Sequence, residues 1–211
     1  INDYLAKKIA ERRIDPGDDL LSSVVHSQVM GRPATPDEIQ GTANLLLFGG
    51  LDTVASMMGF TMKFLAEHPG HCQWIIDNPR RLAQAVEEIM RRHGVSQLMR
   101  TAIVDTEIDG APIRAGDLIM LPTSLAGLDP REFDDPRTVD FERKDKGSAA
   151  TFGAGPHRCP GASLARMEIQ ITVEEWLKPI PRFEIDSDRP LVQRSGAVNA
   201  VLELPLRWPV N

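Results

Sequence analysis

Apolar residues recur at helical spacing through most of the first hundred residues. Leu5 and Ile9 lie one turn apart in the opening segment, which predicts an amphipathic helix over residues 1–13. Pro16-Gly17 ends this helix, because neither residue favours its continuation. The same spacing predicts a second helix over about 18–29.

The strongest helix-start signal of the chain lies at Thr35. Its hydroxyl can cap the helix, Pro36 suits the first helical position, and Glu38 completes a capping box. No stop signal follows until His68, so this third helix would be about 50 Å long at the usual rise per residue.

The rest of the pattern is mixed, and the chain as a whole is predicted to be mainly α with small β-sheets, an α+β fold. In chain order the further predicted elements are a helix over 79–93, short strands over 101–104, 106–108 and 111–113 with a turn at Asp109-Gly110, an irregular segment over 127–150, a helix over 160–177 and a hairpin over 198–208.

Composition narrows the function classes. The chain has 211 residues, of which 42% are hydrophobic and 26% charged, as in soluble globular domains. Its net charge of -6 argues against a nucleic-acid partner. No uninterrupted apolar run is longer than Leu45–Phe48, which is much shorter than a membrane span, so no membrane association is expected. Two cysteines, Cys72 and Cys159, are too few for a disulfide framework and predict a cytoplasmic protein. The sequence opens inside a helical pattern without Met, which predicts a piece of a longer protein.

The most informative segment is Phe152–Gly161, which carries Cys159 directly before a helical pattern. A cysteine at a helix start faces unpaired backbone N–H groups and the positive end of the helix dipole, and both favour the thiolate. Flanking glycines leave room for a large flat group. One thiolate suits a single axial bond to a haem iron better than a four-ligand zinc cage.

A second feature lies inside the long helix, where Gly49 and Gly50 precede Asp52 and Thr53. Each glycine costs about 1 kcal/mol relative to alanine, so a compensating role is expected. The Thr53 hydroxyl can bond back to the Gly49 carbonyl, and the missing side chains would leave a groove for a diatomic molecule. An acid beside an alcohol suits proton delivery. Close helix packing is the alternative explanation of the glycines.

Two further patterns carry less information. Glu88 and Arg91 lie three residues apart on one helix face, and alone they would be an exposed ion pair of little energetic weight. His68, His71 and Cys72 resemble a metal cluster, but three residues in one turn without a fourth make a poor zinc site. Cys72 is expected to be a small apolar residue on a helix.

Taken together, these features resemble a cytochrome P450, a haem-thiolate monooxygenase. The cysteine segment, the Glu88–Arg91 helix and the segment 49–53 are similar to three motifs of that family. The resemblance covers essentially all 211 residues but only the C-terminal half of a family member, so 1–211 is expected to be part of one domain. The segments 45–53, 124–129 and 139–141 are similar in sequence to the bacterial camphor-hydroxylase branch of the family. His157 is also similar to that branch.

The resemblance implies haem b as cofactor with Cys159 as the iron ligand, and Asp52 and Thr53 as the groups that handle dioxygen and its protons. Arg100 and His157 would contact the haem propionates. The amides of Gly161 and Ala162 would hydrogen-bond to the sulfur. The remaining implied roles are haem contacts at Gly49, Gly50, Phe152, Gly153 and Gly161, a buried structural triad of Glu88, Arg91 and Arg143, and a substrate pocket at Leu45, Phe48, Ser96, Ala197 and Val198.

The pocket departs from that of the camphor enzyme at Phe48, Ser96 and Leu98, so camphor itself is not expected as substrate. The resemblance implies hydroxylation of a small apolar compound, such as a terpenoid, with dioxygen and two electrons from an iron–sulfur ferredoxin. Arg158 or Lys146 could contact that ferredoxin. The alternatives are a peroxide-driven haem-thiolate enzyme, a haem-binding sensor or electron carrier, and a chain that binds no haem on its own.

Overall fold

The computed structural model describes residues 1–144 and 150–209, and about half of them are helical. The α+β prediction is confirmed. The helices are α1 Asn2–Ile14, α2 Leu20–Val25, α3 Pro36–Glu67, α4 Pro69–Asp77, α5 Leu82–Arg92, α6 Thr123–Ala126 and α7 Ala162–Leu177. The strands are β1 Gln28–Val29, β2 Arg32–Pro33, β3 Gln97–Thr101, β4 Thr106–Ile108, β5 Ala111–Ile113, β6 Leu118–Pro122, β7 Glu184–Ile185, β8 Val192–Arg194, β9 Ala200–Glu203 and β10 Leu206–Arg207.

The first compact unit is Ile1–Asp52. Its core consists of Leu5, Ile9, Val24, Val25, Ile39 and Ala43. The predicted helix over 18–29 is wrong at its end, because α2 stops at Val25 and Gln28–Val29 pairs with Arg32–Pro33. Met30 and Gly31 take positive φ values of 50° and 80°, which suits a two-residue hairpin turn.

The start of α3 follows the sequence signal. The Glu38 amide donates to the Thr35 hydroxyl at 3.3 Å, and the Thr35 amide donates to the Glu38 carboxylate at 2.7 Å, so the capping box is confirmed. The helix continues to Glu67, and the boundary between the two units falls inside it. By length and composition α3 is apolar enough to cross a membrane, with a mean hydropathy of 1.4 over an 18-residue window. This is weak evidence for a span, because core helices of soluble proteins meet the same criterion.

The second compact unit is Thr53–Asn211, and its core forms largely around α5 and α7. α5 buries Val86 and Ile89 on one face, and α7 buries Ile169 and Val173. These positions recur every three or four residues, so each helix presents a continuous apolar stripe to the shared core. The packing fixes α5 against α7, and α7 is the helix that follows the cysteine segment.

The second unit also contains short antiparallel pairs of strands. The hairpin of β4 and β5 with its turn at Asp109-Gly110 is confirmed, and both turn residues have positive φ. The strand predicted over 101–104 is misplaced, because β3 lies earlier and pairs with β6. The predicted hairpin over 198–208 is wrong: β9 pairs with β8, and β10 pairs with β7. Alternation within one segment cannot reveal that each strand has a partner upstream.

Candidate functional site

The cysteine segment is closed on itself by a backbone hydrogen bond. The Cys159 amide donates to the Phe152 carbonyl at 2.8 Å, so residues 152–159 form a tight loop. Gly153 and Gly155 lie inside it with φ values of 68° and 63°, a region that L side chains rarely adopt. The two glycines therefore allow the backbone conformation that closes the loop. Cys159 and His157 are exposed at its end.

On the side of α7, a glycine without a side chain lies near the sulfur. A Cβ on Gly161 would lie 3.9 Å from the Cys159 Sγ, so a side chain at this position would contact the sulfur. The Ala162 amide donates to the Cys159 carbonyl at 3.4 Å. The sequence had suggested that this amide donates to the sulfur, but here it donates to the carbonyl instead.

The two thiols have different environments. Cys72 is buried, its Sγ donates to the Leu65 carbonyl at 3.3 Å, and burial raises its pKa to about 11. Over residues 1–144 and 150–209, His, Cys, Asp and Glu form no group of three that could hold a metal ion. Cys159 is thus a single exposed donor, which fits one axial bond to a haem iron. Fold and donor set together define a haem-thiolate class of site.

A buried charge network supports this part of the chain. Arg91 donates through Nε and one terminal nitrogen to the two oxygens of Glu88, both at 2.8 Å, and Arg143 donates to the same carboxylate at 3.0 Å. Burial alone would raise the pKa of Glu88, but hydrogen bonds from Arg91, the Asp140 amide and Arg143 hold it below its usual value. Glu88 and Arg91 are 7% and 3% exposed, so the exposed-pair interpretation is wrong.

Arg91 also organises the irregular segment after α6. Its terminal nitrogens donate to the carbonyls of Gly127, Pro136 and Thr138. A Cβ on Gly127 would clash with the Arg91 carbonyl, so only glycine fits there. The residues 127–144 form no helix or strand, and the arginine fixes their path by hydrogen bonds to backbone carbonyls.

Strand β3 lies against the cysteine segment. A Cβ on Gly153 would be 3.8 Å from the Leu98 Cδ1. Arg100 is two residues further along the strand and therefore shares a face with Leu98. Its guanidinium is exposed and donates to the Met99 carbonyl at 2.8 Å. This arrangement puts a cation on the side of β3 that meets the cysteine loop.

Three of the predicted pocket residues come together at the start of β3. Ser96 forms a bridge with Val198, and the Gln97 amide donates to the Ala197 carbonyl at 2.8 Å. Within the first unit, Leu45 and Phe48 are exposed on α3, with relative accessibilities of 60% and 50%.

The remaining predicted residues lie on α3 and beside the cysteine segment. Gly49, Gly50 and Asp52 are exposed in α3, and Thr53 is half-buried in the same helix. Arg158 is exposed next to Cys159. Lys146 lies outside the described residues.

Sequence reasoning missed two side chains beside the cysteine segment, one that directly precedes it in the chain and one that stacks on its first residue. The Thr151 hydroxyl donates to the Met90 carbonyl at 3.2 Å, and the Arg166 guanidinium lies 4.4 Å above the centre of the Phe152 ring. An arginine seven residues after the cysteine is the signal that could have drawn attention, but its contacts depend on the tertiary fold.

Comparisons with known proteins identify the family of the chain. The family model described as cytochrome P450 matches residues 76–190. The probable cytochrome P450 127A1 of Sinorhizobium fredii is 40% identical over 97% of this chain and 49% of its own length. The erythromycin C-12 hydroxylase of Saccharopolyspora erythraea is 37% identical over 88% of this chain and 47% of its own length. The crystal structure of cytochrome P450 CYP101C1 has a TM-score of 0.93 at 41% identity, covering 99% of this chain and 53% of that one.

The chain belongs to the cytochrome P450 family. It spans about half the length of the curated relatives it matches. The family binds haem b through a cysteine thiolate, and the exposed Cys159 between glycines fits that cofactor.

Proposed function

We propose that the chain is the C-terminal part of a single-domain haem-thiolate monooxygenase that hydroxylates a small apolar compound. The observation that carries the proposal is the exposed thiol of Cys159, a residue whose backbone amide donates to the Phe152 carbonyl and closes a glycine-containing loop. The relatives support the class, since one is named as a hydroxylase. In this proposal the protein works in the cytoplasm.

Haem b would be held by residues from several parts of the chain. Cys159 would supply the axial thiolate, and Arg100 and His157 would bind the two propionates by charge-assisted hydrogen bonds. When bound, haem supplies the iron at which dioxygen is activated by electrons. Gly49, Gly50, Phe152, Gly153 and Gly161 would contact it.

The chain's own part in the chemistry is proton handling. We assign the alcohol of Thr53 to a hydrogen bond with dioxygen and the carboxylate of Asp52 to proton delivery from solvent. The two residues are adjacent on α3, and Asp52 is exposed, so it can exchange protons with water. A peroxide-driven enzyme would have no need of this pair, because peroxide already carries both oxygens and protons.

The proposed substrate is a small apolar compound such as a terpenoid, and the proposed electron donor is an iron–sulfur ferredoxin. Ser96, Ala197 and Val198 meet at one place in the second unit and would line part of the pocket. The family resemblance also assigns substrate contacts to Leu45 and Phe48. Relatives named for erythromycin make a macrolide the main competing substrate class.

The test starts from the carbon monoxide spectrum of the reduced, haem-loaded protein. We expect a thiolate-type band, and we expect Cys159→Ser to abolish it while Cys72→Ser retains it. A thiolate-type band in Cys159→Ser would refute the assignment of the ligand. Terpenoids and macrolides are then compared by the spin-state shift they induce and by product formed with ferredoxin, reductase and dioxygen.

The same assay separates the alternatives. Thr53→Ala is expected to keep consuming electrons but to divert them to peroxide, because dioxygen would lose its hydrogen-bonding alcohol. Unchanged coupling to product would argue against the proton role. A thiolate spectrum without any product would favour a sensor or electron carrier instead.

A further inference from the structure

Arg166, on the second turn of α7, joins three parts of the second unit. Its guanidinium lies over the Phe152 ring, with 4.4 Å between the central carbon and the ring centroid. The same group forms an ion pair with Glu87 on α5. It also donates to the Ala162 carbonyl at 3.4 Å. One side chain therefore links the start of the cysteine segment to both core helices.

The contact reaches Cys159 through the backbone of Phe152. The carbonyl of Phe152 accepts the amide hydrogen of Cys159 at 2.8 Å. Fixing the ring of Phe152 fixes the orientation of this residue, and with it the acceptor that holds the cysteine. The Thr151 hydroxyl donates to the Met90 carbonyl at 3.2 Å, so the residue before Phe152 is also bonded to α5.

The chemistry of arginine matters for this contact. A planar guanidinium can stack on an aromatic face while its edge binds a carboxylate, whereas a lysine ammonium is a point charge that does not do both well. Arg166 is only 29% exposed in its side chain, and Glu87 is 49% exposed. An ion pair at this exposure contributes little by itself, so the stacking on Phe152 is the part with structural consequences.

We propose that Arg166 is a positioning residue for Cys159, which it orients by stacking on the Phe152 ring while Glu87 holds the guanidinium. The inference rests on the proposed role of Cys159 as the iron ligand. It assigns to Arg166 a function separate from the buried Glu88–Arg91 network, since Arg166 acts on the loop that carries the ligand.

The test uses the haem-loaded protein and two readouts. The first is hydrogen–deuterium exchange at the Cys159 amide, which reports directly on its bond to Phe152. The second is the fraction of the carbon monoxide complex that has the thiolate-type band. The Arg166→Lys variant keeps the charge and loses the planar stack, so we expect exchange at this amide to rise about fivefold and the thiolate fraction to fall.

The chain offers a matched control at Arg81. Its guanidinium lies 4.8 Å from the Trp74 ring centroid and forms an ion pair with Glu142 at 2.8 Å. None of these three residues belongs to the cysteine segment. Arg81→Lys therefore removes the same type of stack, and we expect Cys159 exchange and the thiolate fraction to stay at wild-type values.

Two further variants separate the ring from the ion pair. Phe152→Leu keeps the pair of Arg166 and Glu87 and removes the ring, so we expect the same rise in exchange as for Arg166→Lys. The charge-swapped double variant, Glu87→Arg with Arg166→Glu, restores an ion pair but not the stack. It should keep a melting temperature close to that of the wild type without recovering protection of the Cys159 amide.

Three results would each overturn the positioning role. The Cys159 amide could exchange at the wild-type rate in Arg166→Lys, its exchange could rise equally in Arg166→Lys and Arg81→Lys, or it could be fully protected in the charge-swapped double variant. These outcomes differ from failure of the proposed function. If the wild-type protein lacks the thiolate-type band, Cys159 is not the ligand, and the exchange readout still decides whether Arg166 holds the loop.

Discussion

Two parts of the second unit differ in how their polar groups are satisfied. In the network around Glu88 and Arg91, buried charges bind each other and a series of backbone carbonyls. In the cysteine segment, residues 154–160 are exposed. The segment is held by backbone bonds such as that from the Cys159 amide to Phe152.

The difference separates stability from chemistry. A buried charge that loses its partner keeps the full cost of its desolvation, so the network tolerates little change. An exposed group can exchange a protein partner for water at small cost. Substitutions in the network should therefore change the free energy of unfolding, whereas substitutions in the cysteine segment should change ligand binding or partner recognition.

The largest effect is expected for Arg91→Ala. Removing the guanidinium leaves the Glu88 carboxylate buried with one cation fewer. It also takes the Arg91 donor from the Gly127 and Pro136 carbonyls, whereas the Thr138 carbonyl still accepts from Arg143. We expect the free energy of unfolding in urea to fall by about 3–5 kcal/mol.

The matched control is Arg131→Ala. Arg131 also forms an arginine–carboxylate pair, with Asp129 at 2.6 Å, but its side chain is 81% exposed. Arg131→Ala should leave the unfolding midpoint almost unchanged. Equal losses in the two variants would show that burial does not distinguish the network.

A smaller effect is expected from protonation of His93, which follows the last turn of α5. Burial, with a contribution from Arg92 and other cations, lowers its pKa to about 4, and its Nε2 is buried without a hydrogen-bond partner among the described residues. The ring stacks on Phe60 at 5.9 Å. The folded protein therefore keeps His93 neutral at a pH where the unfolded chain binds a proton.

The sign of the pH dependence follows from this lowered pKa. The contribution of neutral, buried His93 to the free energy of unfolding is fully present above the ordinary histidine pKa of 6.5. It is lost as the pH falls from there toward 4. The loss should approach 1.4 kcal/mol per pH unit, to order of magnitude. His93→Phe keeps a ring without a titrating group, so its unfolding free energy should fall less steeply over this range. Parallel curves for the two proteins would assign the slope to other groups.

Local signals explain what the sequence predicted correctly. The capping box at Thr35 and Glu38 and the turn at Asp109-Gly110 need only nearby residues, and both were found where expected. The hairpin at Met30 and Gly31 was missed, because a glycine after a helix also serves as a simple stop signal.

Long-range contacts explain what the sequence could not predict from its pattern. Glu88 and Arg143 are 55 residues apart, and only the family resemblance linked them. The pairing of β10 with β7 and the stack of Arg166 on Phe152 depend on the folded arrangement. No spacing rule brings such residues together.

The smallest effect on stability is expected for Arg158→Glu, in the exposed segment. Arg158 is exposed beside Cys159, so its replacement should change the free energy of unfolding by no more than about 0.5 kcal/mol. If an acidic ferredoxin docks over the cysteine segment, reversing this charge should slow reduction by about threefold to tenfold at low salt, with a smaller difference at high salt.

Arg189→Glu is the control for net charge, since Arg189 is also exposed but lies in another loop of the second unit. Stopped-flow reduction by ferredoxin across a salt series measures both variants. A selective, salt-sensitive loss in Arg158→Glu would make the exposed segment a recognition surface as well as the carrier of the ligand. Equal rates in the two variants at every salt concentration would remove Arg158 from the docking surface and leave the segment with the ligand as its only function.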